Sequence, residues 1–205
     1  MSVAAALLLG LGLGLRHATD ADHVVVLASL VSEGRGRMHA ARVAGLWGLG
    51  HSASFFAVGI AMILFDVRLP EAVNATLEII VAAMLVVLGG YQVAKAGGAV
   101  RDQSVRPHQR LVRPVVIGLV HGLAGSAAVA LVAMTTVDSR TAALGYLAFF
   151  AVGTVLGMVA FTLMLAGPLA IAAATRRGSV AIMRGAGALS VALGLVLAVE
   201  VAAGR

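Results

Sequence analysis

The sequence predicts an all-α integral membrane protein of about six transmembrane helices, built as two inverted three-helix repeats. Three observations lead there. First, the 205 residues are 60% hydrophobic and only 12% charged, where soluble domains carry about 25% charge, and mean hydropathy is +1.02. Second, apolar runs recur that exceed or approach the roughly 20 residues needed to cross a bilayer, at 3–31, 42–65, 72–94, 114–137, 142–174 and 180–203. Third, the basic residues fall into alternate gaps between those runs.

The first run passes from Val3 through a polar cluster to Val31. It lacks a charged leading region and a cleavage site, so it reads as a retained helix, not a signal peptide. The first and fifth runs are overlong for one crossing. A bend at Gly167-Pro168 is expected in the fifth, because proline interrupts the helical hydrogen-bond ladder. Pro70 and Pro114 fall just before or at expected helix starts, where a missing N–H costs little.

Arg35, Arg37 and Arg42 occupy the first gap. Lys95, Arg101, Arg106, Arg110 and Arg113 occupy the third, and Arg176, Arg177 and Arg184 the fifth. The second and fourth gaps hold only Arg68 and Arg140, beside Asp66, Glu71 and Asp138. Positive charge marks cytoplasmic loops, so gaps one, three and five face the cytoplasm and both termini face outside. The same spread of arginines explains the pI of 11.3 without a nucleic-acid partner. With no cysteine, disulfides and thiolate metal sites are excluded.

The two halves echo each other. "GLRHATDADHVVVLASLV" from Gly14 resembles "GLVHGLAGSAAVALVAMT" from Gly118, and "SFFAVGIAMILF" from Ser54 resembles "AFFAVGTVLGMVAF" from Ala148. The domain reading is a first repeat at 1–94, a basic cytoplasmic loop at 95–113 and a second repeat at 114–205. Three spans per half invert the second copy, the plan of many secondary transporters, whose substrate site lies near the midplane between halves. Gly10-x-x-x-Gly14 and Gly153-x-x-x-Gly157 read as close helix contacts.

The chemistry concentrates in the first run, where Arg16, His17, Thr19, Asp20, Asp22 and His23 interrupt apolar sequence. On a helix, Asp20 and His23 follow His17 at about 60° and 120° round in one sense, forming a polar stripe. Asp22 falls elsewhere unless the helix unwinds there. Charged groups at mid-membrane cost about 2.5–3.5 kcal/mol each on insertion scales, and are kept where they pair or line a wet cavity. Imidazole with carboxylate suits Ni(II), Co(II) or Zn(II). His51 and His121, each embedded in another apolar run, are candidates to join the same ion. Arg16, four residues before Asp20, is expected to pair with it. Asp22 is read as ligand, as a partner orienting a histidine, or as a proton carrier. Ser52, Ser54 and Ser126 suit helix packing, Glu78 a membrane interface, and His39 and His108 solvated loops.

"GLGLGL" follows no strand, and neither GxxxxGK[ST] nor HExxH occurs, so neither ATP hydrolysis nor a zinc protease is supported. The chain reads as a non-enzyme. Residues 16–23, Arg-His-Ala-Thr-Asp-Ala-Asp-His, contain an H-x4-D-H pattern. In this the chain resembles the nickel/cobalt transporter (NiCoT) family. Leu49-Gly50-His51-Ser52 is similar to a second family motif, and "HGLAGSAA" from His121 is similar to the short, urease-accessory-like relatives. The larger members have eight spans, and related exporters carry a histidine-rich loop that this sequence lacks.

The resemblance implies a secondary transporter of Ni2+, with Co2+ as a second candidate, across the bacterial cytoplasmic membrane. Uptake would run through a midplane His/Asp site and feed nickel enzymes such as urease or hydrogenase. The expected metal ligands are His17, Asp20, Asp22, His23, His51 and His121. The metal is substrate and no cofactor is expected; the partners are the ion and the bilayer. Two alternatives use the same residues: efflux of the same metals, and a proton- or cation-coupled carrier of another solute.

Overall fold

The computed structural model describes residues 2–31, 36–96, 98, 107–124, 126–137 and 139–204. These form eight helices and no strand: α1 (Val3–His17), α2 (Ala21–Val31), α3 (Arg37–Phe65), α4 (Glu71–Ala96), α5 (Pro107–Leu123), α6 (Ser126–Thr136), α7 (Arg140–Ala172) and α8 (Arg176–Ala202). Helices α3, α4, α7 and α8 are long and apolar enough to cross a membrane. The first and fourth apolar runs are instead each divided, into α1 and α2 and into α5 and α6.

The interruption therefore lies elsewhere than expected. Helix α7 continues through Pro168 to Ala172, with the Met164 carbonyl left without its i+4 donor. Pro114 lies inside α5, not at its start, because α5 begins at Pro107. Neighbouring helices allow membrane helices to tolerate such a residue. The segment 95–113 is accordingly helical at both ends, up to Ala96 and from Pro107. Arg35, Arg101, Arg106 and Asp138 lie outside the described residues, as do the side chains of His108, Arg110 and Ser126.

The chain breaks after His17 for local reasons. Thr19 Oγ1 donates to the Arg16 carbonyl at 2.7 Å, and the Thr19 and Asp20 amides turn back to Arg16 and His17. A short hydroxyl side chain thus competes for the last carbonyls of α1. Helix α2 restarts with Asp22 in its first turn, where a carboxylate favours the positive end of the helix dipole.

Four helix pairs make most of the packing: α1 on α7, α3 on α5, α4 on α8 and α3 on α7. The seams are glycine seams. A Cβ on Gly14 would strike the Phe150 carbonyl and the Thr154 amide, and one on Gly118 would strike the Trp47 carbonyl and the His51 amide. Gly153 faces Leu11, and Gly50 faces Val115. Both GxxxG stretches therefore meet one another across α1 and α7, backbone to backbone, as small-residue membrane interfaces do.

These contacts pair Gly14 with Gly118, Gly50 with Gly153, and His51 with Thr154 as positions in the same packing role. That register differs from the echo of Ser54 with Ala148. Phe, Ala, Val and Gly recur in any lipid-soluble helix, whereas a glycine seam admits one alignment.

One buried cluster, with Ala18, Val26, Trp47, Leu85 and Met158, surrounds the α1–α2 break; a second, with Ala6, Phe55, Tyr146 and Phe150, fills the space between α1, α3 and α7. Beside α2 lies a mainly apolar cavity of about 550 Å³, bounded by α3, α7 and α8 and lined by Ala28, Ala40, Ala166, Ala170 and Met183.

Candidate metal centre

The α1–α2 break points its polar side chains inward, toward α3 and α5. His17, the last residue of α1, donates from Nδ1 to Asp20 Oδ2 at 2.8 Å. Its Nε2 stands 3.2 Å from His51 Nε2 of α3. His23 on α2 folds back to donate from Nδ1 to the His17 carbonyl at 2.7 Å, which leaves its Nε2 free to face the other rings. The ring centroids of His17 and His23 are 4.4 Å apart, and those of His23 and His51 4.9 Å.

His121 is carried in by α5. Gly118 and Gly122 lie against the backbone of α3 around His51, so the side chain between them is driven into the same space. Its Nε2–H donates to Asp22 Oδ2 at 2.9 Å, while Asp22 Oδ1 accepts the His23 amide at 3.0 Å. His23, His51 and His121 are buried to 3% exposure or less. Among the described residues, the buried Nδ1 atoms of His51 and His121 have no hydrogen-bond partner.

Among the described residues, two groups of side chains are close enough to hold a metal ion: His17, His23 and His51, and Asp22, His23 and His121, with ligand atoms within 4.8 Å of one another in each. Two nitrogens bound to one tetrahedral ion at 2.0–2.1 Å sit about 3.3 Å apart, close to the His17–His51 separation. Ligating histidines characteristically donate their second N–H to a carboxylate or carbonyl. His17 does so to Asp20, and His23 to a carbonyl.

Of the six expected ligands, five fall into these groups. Asp20 does not; its carboxylate orients His17. The expected Arg16–Asp20 pair is absent, because the helix ends between the two residues and the i, i+4 geometry ends with it. Arg16 is exposed. Asp22 reaches the site because the chain does unwind before it. Ser54 donates to the His51 carbonyl at 3.1 Å and Ser52 to the Ala151 carbonyl at 3.4 Å, both packing roles. Glu78 accepts from Asn74 on its own helix.

Sequence reasoning missed the aromatic walls. Trp47 is fully buried, with ring centroids 5.3 Å from His23 and 5.6 Å from both His51 and His121. Phe150 lies 5.4 Å from His17 and stacks on Phe55. The signal for Trp47 was present: it precedes His51 by four residues and so shares its helix face.

Over 92% of its length the chain is 30% identical to the urease accessory protein UreH of Bacillus sp. (strain TB-90), spanning 88% of that protein. The chain belongs to the UreH family. Two Arabidopsis thaliana proteins, chloroplast proteins FOR GROWTH AND FERTILITY 2 and 1, are similar at 29% and 31% identity over 70% and 69% of this chain. The chain spans 42% and 44% of those two longer proteins. No family model matches the chain, and no solved structure does.

Proposed function

We propose that this UreH-family chain is a permease for Ni2+, and for Co2+ as a second substrate, working inward across a bacterial cytoplasmic membrane. The observation that carries the proposal is the meeting of four imidazoles and one carboxylate from α1, α2, α3 and α5 at a helix break. A urease accessory protein as relative and the likeness of residues 16–23 to the nickel/cobalt transporter motif support nickel as cargo. The want of a histidine-rich stretch supports uptake over efflux.

In this reading the chain crosses the bilayer six times, as two inverted halves with a basic cytoplasmic connection, and both termini lie outside. The divided runs α1–α2 and α5–α6 would each count as one span. The paired roles of Gly14 and Gly118, and of Gly50 and Gly153, support a two-fold relation between the halves.

The residues would act as follows. Neutral imidazoles replace the water shed by the ion. Asp22 offsets part of its charge, which an apolar site otherwise makes costly. Asp20 holds His17 in the tautomer that leaves Nε2 bare. Trp47 and Phe150 exclude lipid and water. The seams of α1 on α7, α4 on α8 and α3 on α5 each join helices of different halves. The half-length α2, with the cavity beside it, is the element placed to move.

The test is uptake of 63Ni in cells carrying the wild type, His17→Ala or His23→Ala at matched membrane abundance. Each variant should reduce accumulation to the level of cells without the protein. Unchanged accumulation in both would remove the metal-carrier reading.

A further inference from the structure

The five ligand side chains do not surround one point. His17 and His121 each make a ring contact with His23 and with His51, at centroid separations of 4.4 to 5.7 Å. Among the described residues, no ring contact joins His17 to His121, and no group capable of holding an ion includes both. His23 alone is common to the two groups. The groups also differ in chemistry: three imidazoles in one, two imidazoles and a carboxylate in the other.

We infer that the site holds two successive positions for one divalent cation, with His23 as the ligand that keeps hold of it during the step between them. This rests on the metal-carrier reading and goes beyond it. In the first position His17, His23 and His51 bind the ion. In the second, His17 and His51 are replaced by Asp22 and His121. Only ligand exchange is involved, and the ion is never released to hydrocarbon, where an unsolvated dication is prohibitively costly.

The arrangement of elements fits a handover. His17 and His51 sit on α1 and α3, whose glycines are locked against α7 and α5. His23 and Asp22 both sit on the short α2, so the shared ligand and the carboxylate that succeeds His17 and His51 belong to one element. The first position is neutral in its ligands and matches a passing ion of any source. The second adds a negative charge and retains the ion more strongly. Asp22 Oδ2 and His121 Nε2 are already joined by a 2.9 Å hydrogen bond, so the second position is assembled before the ion arrives.

The experiment uses the purified full chain in lipid nanodiscs and Ni2+ alone as probe. Binding is measured by equilibrium 63Ni retention, and coordination by X-ray absorption. His51→Gln should still bind Ni2+ with two imidazoles in its shell, and His121→Gln should still bind it with three. His23→Gln and the double variant His51→Gln/His121→Gln should lose binding. All four should lose transport. If His51→Gln and His121→Gln lose binding as completely as His23→Gln while remaining monodisperse, there is one position, and the two-position inference is overturned though the carrier reading stands. Should a single variant aggregate, Asp22→Asn decides: Ni2+ still retained by imidazoles supports the inference, and complete loss of binding in a monodisperse protein overturns it. Absence of Ni2+ from the wild type would overturn the carrier reading itself.

Discussion

The two helix breaks share a backbone device and differ in chemistry. At each, a glycine one turn before a histidine presses the helix onto a neighbour: Gly14 before His17 against α7, Gly118 before His121 against α3. Beyond the histidine they part. The first break continues Thr19, Asp20, Asp22, His23; the second continues in glycine, alanine and serine. Across the interface, too, α3 offers His51 where α7 offers Thr154, which merely donates to the Phe150 carbonyl at 2.9 Å. Helix packing uses both breaks alike, while metal chemistry is loaded almost entirely onto one. Four of the five candidate ligands thus come from the first half of the chain, and one, His121, from the second.

If packing is shared, damage to it should be shared as well. Gly14→Val and Gly118→Val are expected to have the largest structural effect. Each Cβ meets backbone, which cannot give way as a side chain can, and overpacking of this kind costs about 1–3 kcal/mol or more. Thermal unfolding in detergent should show both variants destabilised by similar amounts. A tolerant Gly118→Val would break the equivalence of the two seams.

The chemical asymmetry predicts a smaller, one-sided loss. Asp20→Asn leaves His17 without its carboxylate partner, and loss of such a supporting group lowers metal affinity by about 10- to 100-fold. Ni2+ titration of the purified variant checks this, with fold intact by circular dichroism. Acid should act in the same direction. A protonated imidazole cannot ligate, so protons compete with the metal for these nitrogens. Ni2+ retention measured between pH 8 and pH 5 should decline monotonically. Thr154→Val should have the smallest effect. It removes one hydroxyl bond, worth about 1 kcal/mol, and leaves 63Ni uptake at the wild-type level.

Much of this was legible in the sequence because polar residues in an apolar run have few explanations. His17, Asp22 and His23 declared a candidate site, and Asp22 could join it only if the helix unwound. His51 and His121 were readable as its partners from their isolation in other runs. What stayed hidden depended on geometry that an ideal helix misrepresents. The Arg16–Asp20 pair assumed a continuous helix where the chain turns. Proline pointed to a bend at Gly167-Pro168, whereas the helix is interrupted at residues 18–20, where Thr19 and Asp20 turn the chain. The packing register between halves was obscured by letters that lipid solubility imposes everywhere. Trp47 and Phe150 looked like ordinary membrane aromatics, since nothing in composition says which ring faces an imidazole.

The α1 seam carries a consequence for synthesis. Gly10 and Gly14 find their partners at Tyr146, Phe150 and Thr154, roughly 140 residues further along the chain. A ribosome adding about 5–20 residues per second delivers them on the order of ten seconds later. Until then the grooved surface of α1, with its histidine exposed at one end, is solvated by lipid or sheltered by the insertion machinery. The polar break is therefore completed only late in translation, when the fifth apolar run enters the bilayer. A truncated product would leave it half built.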